Sequence, residues 1–107
     1  LCLLGLGLNG HIGFNEPGSA LNSRARMVEL TQKTRWANAD RFADGNVPTH
    51  GLTLGLGTIM ESREILLLAV GANKRIPVTK CFQSPADPNW PASCLQNHPK
   101  TTIMTSF

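Results

Sequence analysis

The order of segments predicts an α/β fold layered around a parallel sheet. Three observations carry this reading. Leu1–Leu4 and Ile65–Val70 are short, wholly apolar runs of strand length, as expected for strands buried inside a parallel sheet. Each is closed by a glycine, Gly5 and Gly71. Segments with helix signals, Gln32–Ala39 and Ala72–Phe82, alternate with strand-like ones.

The first strand is Leu1–Leu4. Residues 5–23 then hold Gly5, Gly7, Gly10, Gly13, Gly18 and Pro17, which predicts a long loop. Loops of that length in compact domains usually carry function. Ile12 and Phe14 give it apolar anchors and argue against disorder. Met27–Leu30 is a second strand. Thr31 is placed to N-cap Gln32–Ala39, with Trp36 and Ala37 as the helix's apolar side. Asp44-Gly45-Asn46 is a turn signal, and Val47-Pro48 keeps the chain extended. Thr49–Met60 is ambiguous between strand and helix; its length favours a helix, despite Gly55 and Gly57 at about 1 kcal/mol each. Glu64–Val70 is the clearest buried strand, and Ala72–Phe82 the following helix, with Pro77 capping or kinking it. The prolines of Ser84–Pro91 predict a loop, Ala92–Asn97 one or two helical turns, and Thr101–Met104 a last strand. Leu1–Leu4 reads as the inside of a strand and Thr101–Phe107 stops at another, so the sequence is read as part of a longer domain.

Composition narrows the function. Ten Lys and Arg against seven Asp and Glu give a net charge of +3, with no basic run longer than two. That excludes a continuous nucleic-acid stripe and suits a small anionic ligand such as a phosphorylated metabolite. No apolar run approaches the ~18–20 residues of a membrane span, so no membrane partner is expected. Cys2, Cys81 and Cys94 form neither a metal-type pair nor an even disulfide framework and read as reduced cytosolic thiols. His50 and His98 have no acidic or Cys neighbour at ligand spacing, so no metal site and no cofactor is predicted. Trp36 and Trp90 read as packing residues.

Gly5-Leu6-Gly7-Leu8-Asn9-Gly10 matches the dinucleotide pattern G-x-G-x-x-G after a strand. The chemistry argues against it. Gly13, Pro17 and Gly18 prevent the helix whose N-terminus should hold a pyrophosphate, and Glu16 would face the phosphates. What remains is a strand end carrying Asn9, His11, Asn15 and Glu16 within eight residues. Ligands bind beyond the carboxyl ends of strands in open α/β sheets. A carboxylate five residues from a His, across a turn, can orient it as an acid/base. A solvated, glycine-rich connector is the bland alternative.

The string Leu8-Asn9-Gly10-His11-Ile12-Gly13-Phe14-Asn15-Glu16-Pro17 resembles the signature of the glucosamine-6-phosphate deaminase (isomerase) family. The resemblance continues through Ser23–Arg26, Thr34-Arg35, Val47-Pro48, Leu52–Met60, Gly71–Lys74 and Pro91–His98. It implies a three-layer, Rossmann-like parallel sheet with helices on both faces, present here as an incomplete C-terminal portion of a single sugar-phosphate isomerase/deaminase domain. It also implies conversion of glucosamine 6-phosphate to fructose 6-phosphate and ammonia, in the cytoplasm, with a homo-oligomer of the full-length enzyme as the expected assembly. The galactosamine 6-phosphate reaction is the near alternative, and a truncated, non-catalytic sugar-phosphate-binding remnant the alternative of another class. A 6-phosphogluconolactonase-like hydrolase fits less well, because Ile12–Glu16 replaces the run expected there. By this resemblance His11 is the acid/base for ring opening, Glu16 its relay partner and Asn9 the third member; Lys74 binds the substrate phosphate. Asp40 stands where many relatives have a phosphate-binding Arg, and a local slip would bring Arg41 in instead. Val28 and Glu29 replace residues through which some members bind an allosteric sugar phosphate, so such activation is not expected. The family's loop for the phosphate and its Asp base for proton transfer between C2 and C1 have no counterpart here, so the chain alone is expected to be inactive.

Overall fold

The structure, a computed structural model, describes all residues, 1–107. Strand β1 is Cys2–Gly5, β2 Arg26–Glu29, helix α1 Gln32–Ala37, β3 His50–Thr53, α2 Leu56–Met60, β4 Ile65–Ala69, α3 Arg75–Phe82 and β5 Thr101–Thr105. Strands β1, β4 and β5 form a parallel sheet in that order, with Leu4 opposite Leu67 and Leu67 opposite Ile103. The parallel sheet read from the sequence is present. Strands β2 and β3 stand apart as an antiparallel ribbon, with Met27 opposite Leu52.

Side chains alternate across the central strand. Ile65, Leu67 and Ala69 are fully buried and pack with Leu56 and Ile59 of α2, Cys81 of α3 and Ala92, Cys94 and Leu95 of the 3-10 segment Pro91–Asn97. The opposite face presents Leu3, Leu68 and Met104 to solvent. The helices of these residues therefore cover one face of the sheet, and the second helical layer of the expectation is not formed by them. No helix is long and apolar enough to cross a membrane.

Two expectations change. Thr49–Met60 does not form one helix: it splits into β3 and α2 around Gly55. Leu52 is exposed and Thr53 buried, a two-residue alternation that fits a strand pairing with β2. At Gly55 a Cβ would stand 2.0 Å from the Ser23 carbonyl oxygen, so the chain passes there against the long loop and only glycine fits. The helix starts after that crossing, burying Leu56 and Ile59. Trp36 is 71% exposed, so the packed side of α1 is not its apolar side; its one buried residue is Thr34. Trp90 does pack, partly buried against the core and over Gly10. His98 is also structural: its Nε2 hydrogen-bonds to the Ser62 carbonyl at 2.6 Å, and its Nδ1 accepts from the Lys100 N–H at 3.0 Å.

Candidate functional site

The loop after β1 folds into a tight reversal rather than a helix. Gly10 and Gly13 both take positive φ, 84° and 56°, where side chains other than glycine are strained. The Gly7 N–H bonds to the His11 carbonyl at 2.9 Å and the Gly10 N–H to the Gly7 carbonyl at 3.0 Å. Farther along, Asn15 is completely buried and fully satisfied: its Nδ2 donates to the Ile12 and Leu54 carbonyls, and its Oδ1 accepts from Arg26 Nη1 at 2.9 Å. Asn15 and the anchor Ile12 thus hold the loop onto α2's approach and fix where His11 and Glu16 emerge.

The structure brings Asn9, His11 and Glu16 together, in an order the sequence did not reveal. Asn9 Oδ1 accepts from the His11 backbone N–H at 3.2 Å and faces His11 Nδ1 at 2.8 Å. Two donors on one oxygen settle the amide's orientation, so Nδ1 carries the ring proton and donates. Asn9 Nδ2 then points the other way and donates to Glu16 Oε2 at 2.7 Å. The direct His11 Nδ1 to Glu16 Oε2 distance is 3.6 Å, beyond a hydrogen bond. Glu16 therefore faces the imidazole directly across 3.6 Å and also reaches it through the Asn9 amide. With Nδ1 committed, Nε2 is the nitrogen with a free lone pair.

Thr34 of α1 is a member that sequence reasoning missed. Its hydroxyl donates to Glu16 Oε1 at 2.6 Å. The sequence signalled only the cap beside it: Thr31 Oγ1 accepts from the Thr34 N–H, which places the helix start but not the Thr34 hydroxyl. Gly7 was missed as well. A Cβ on it would lie 2.2 Å from His11 Cε1, so the imidazole rests on the bare glycine backbone.

These contacts set the charge of Glu16. Burial alone would raise its pKa, but the contacts from His11, Thr34 and Asn9 outweigh that and hold it at about 2, against an ordinary 4.5. A folded-state value below the unfolded one means the stabilisation is complete above about pH 4.5 and is lost as the pH falls through about 2. At 1.36 kcal/mol per pH unit the difference between 4.5 and about 2 is at most about 3.4 kcal/mol, and solvent screening reduces it. Urea unfolding of the full-length protein is therefore expected to weaken over that acid range, and Glu16→Gln to flatten this dependence. An identical acid slope in the variant would show that Glu16 does not carry it.

His11 lines a cleft of about 350 Å³ with Gly7, Asn38, Arg41 and Lys74 at the carboxyl end of β1. Lys74 closes the 3-10 turn Ala72–Lys74 after β4, and its Nζ donates to the Leu6 carbonyl. Burial pushes its ammonium below the usual lysine value. Arg41 reaches this cleft because Ala39–Arg41 forms a 3-10 turn after α1, while Asp40 beside it does not line the cleft. A ring nitrogen with a free lone pair and two cations around one cavity can move a proton on a ligand and hold its anionic end.

Residues 1–104 match the family described as glucosamine-6-phosphate isomerases/6-phosphogluconolactonase. The chain is 52% identical over 106 residues to a glucosamine-6-phosphate deaminase of Rhodopirellula baltica, covering 97% of this chain and 42% of that protein. It is 47% identical to one from Bacillus cereus, covering 97% of this chain and 40% of the relative. It thus spans about two fifths of the length of the curated relatives it matches. Among solved structures, a monomeric glucosamine-6-phosphate deaminase superposes with a TM-score of 0.93 at 44% identity, over 96% of this chain and 43% of that one. A 6-phosphogluconolactonase of Trypanosoma brucei shares the fold at a TM-score of 0.71 and 23% identity, over 96% of this chain and 38% of that one.

Proposed function

Because the chain belongs to the glucosamine-6-phosphate isomerase/6-phosphogluconolactonase family, we propose that its protein is a deaminase converting glucosamine 6-phosphate to fructose 6-phosphate and ammonia. The observation that carries this reading is the Asn9–His11–Glu16 network facing a cleft that also holds two cations, Lys74 and Arg41.

Ring opening needs one group that takes the proton of the anomeric hydroxyl and returns a proton to the ring oxygen as the C1–O5 bond breaks. His11 Nε2 serves both steps. Asn9 holds Nδ1–H in place, and the Glu16 carboxylate behind it favours the transient imidazolium. Lys74 and Arg41 bind the 6-phosphate. Asp40, Asp44 and Asp87 do not line the cleft, so the reading assigns these residues ring opening and phosphate binding, and leaves the C2-to-C1 proton transfer to another part of the protein. The partner is a small amino-sugar phosphate. Three free cysteines support a cytoplasmic setting.

In the full-length protein, Lys74→Met and Arg41→Met are expected to raise the KM for glucosamine 6-phosphate about tenfold or more, with a smaller change in kcat, measured by ammonia release. Absence of ammonia release from the wild-type protein would overturn the activity. An unchanged KM in both variants would overturn the phosphate assignment.

A further inference from the structure

His11 Nδ1 and Glu16 Oε2 stand 3.6 Å apart, and besides the Asn9 amide one hydroxyl faces both groups. Thr34 Oγ1 lies 2.6 Å from Glu16 Oε1 and 3.3 Å from His11 Nδ1. Thr34 is 2% exposed, on a helix 23 residues beyond His11 and 18 beyond Glu16, so nothing local requires this meeting.

The proton directions around it are determined. Thr31 Oγ1 accepts from the Thr34 N–H at 3.2 Å and donates its own hydrogen to Thr34 Oγ1 at 3.1 Å. Thr34 has one hydroxyl proton, and the ionised Glu16 takes it; 2.6 Å is the short range of an O–H bond to a carboxylate. A second lone pair of Thr34 Oγ1 faces Nδ1–H of His11 at 3.3 Å, a weaker share of the proton that Asn9 Oδ1 accepts at 2.8 Å. The chain of donors therefore runs from the first turn of α1 to the carboxylate, each bond polarising the next. The helix backbone is tied in as well, because Asn38 Nδ2, on the cleft wall, donates to the Thr34 carbonyl at 2.9 Å.

We infer that Thr34 is a positioning residue for the proposed reaction: its hydroxyl fixes the Glu16 carboxylate and backs the Nδ1–H form of His11, and so seats α1 on the site. This rests on the deaminase reading only for its kinetic arm. Asn9 occupies one carboxylate oxygen and Thr34 the other, so removal of the hydroxyl leaves Oε1 partly buried and unpaired. His11 is the titratable group facing Glu16.

The test compares Thr34→Val, which keeps the shape and removes the hydroxyl, with Thr34→Ser, which restores it. Both are made in the full-length protein. Thr34→Val is expected to lower kcat/KM for glucosamine 6-phosphate roughly ten- to a hundredfold, as for a lost hydrogen bond to a charged group. It is also expected to raise the Glu16 titration midpoint, followed by carbon-13 NMR of the side-chain carboxyl, by about one unit. Thr34→Ser should return both to within about threefold and a few tenths of a unit of wild type. A Glu16 midpoint that does not move in Thr34→Val overturns the inference, as does a serine variant no better than valine. The NMR arm reads Thr34 whether or not the wild-type protein releases ammonia, so it separates failure of this inference from failure of the deaminase reading.

Discussion

Replacing His11 by alanine in the full-length protein is expected to lower kcat/KM on glucosamine 6-phosphate by about a thousandfold, within the range of positioned acid/base groups. Glu16→Gln is expected to cost about a hundredfold, and the double variant to be little worse than His11→Ala alone. The geometry explains why a near-isosteric change should hurt. A carboxylate accepts on both oxygens, and Glu16 receives Asn9 Nδ2 on one and Thr34 Oγ1 on the other. An amide accepts on one end only. If its NH₂ faces Asn9, two donors meet; a flip of the Asn9 amide relieves that clash but sets its NH₂ against the His11 backbone N–H as well as Nδ1. The ring then adopts the other tautomer, and the Nε2 lone pair is lost. If its NH₂ faces Thr34 instead, the Thr34 hydroxyl must turn away. Either way the charge that favours imidazolium is gone. Because the damage passes through His11, it has nothing left to damage once His11 is alanine. Both single losses should shrink when the substrate is supplied in its open-chain form, since ring opening is the step affected. Rates measured for the two singles and the double would refute this unit if the single losses multiply, or if open-chain substrate rescues neither.

Much of this site was legible before any coordinates because its polar members lie within eight residues of one another, bounded by glycines, directly after an apolar strand. Strands β1 and β4 were legible for the same reason that they are central: burial makes them uniformly apolar. What escaped was set by contacts between distant segments. Thr49–Met60 carries leucines and glycines that fit two periods. The choice is made by pairing with β2 and by the crossing of Gly55 over the Ser23 backbone, neither of which a local window contains. Trp36 looked like the packed side of α1. In the structure α1 is seated by hydrogen bonds from Thr34 and Thr31, and Trp36 faces solvent. The pairing of His11 with Glu16 was readable as proximity, but the interposed Asn9 amide was not, because it depends on a 3.6 Å gap. Asp40 and Arg41 show the reverse: one 3-10 turn, invisible in the sequence, sets Arg41 and not Asp40 on the cleft.

Gly7→Ala is expected to impair the protein nearly as much as His11→Ala, through a single methyl group. Gly7 is the second glycine of the string that mimics a dinucleotide fingerprint, where such a glycine lets a pyrophosphate approach the backbone. Here the imidazole of His11 makes that approach. A Cβ would stand 2.2 Å from Cε1 and Nδ1 and 2.4 Å from Nε2, far inside contact distance. Something must move, and the ring is the softer party. Gly7 is not among the glycines with positive φ, so its backbone accepts alanine. Its N–H and carbonyl bonds to His11 and Gly10 do not involve a side chain. The fold should therefore survive while the imidazole swings off the Asn9 oxygen 2.8 Å away, losing both its fixed tautomer and its aim into the cleft. A misplacement of about 1 Å in a catalytic group can cost about a hundredfold, and this one is larger. The expected signature is a loss of several hundredfold in kcat with little change in KM, since Lys74 and Arg41 are untouched, and a thermal midpoint within a few degrees of wild type. Combining Gly7→Ala with His11→Ala should restore room for the methyl and add no further loss. Activity within about tenfold of wild type in Gly7→Ala would show that the ring tolerates displacement and that its seat on the glycine has no part in catalysis.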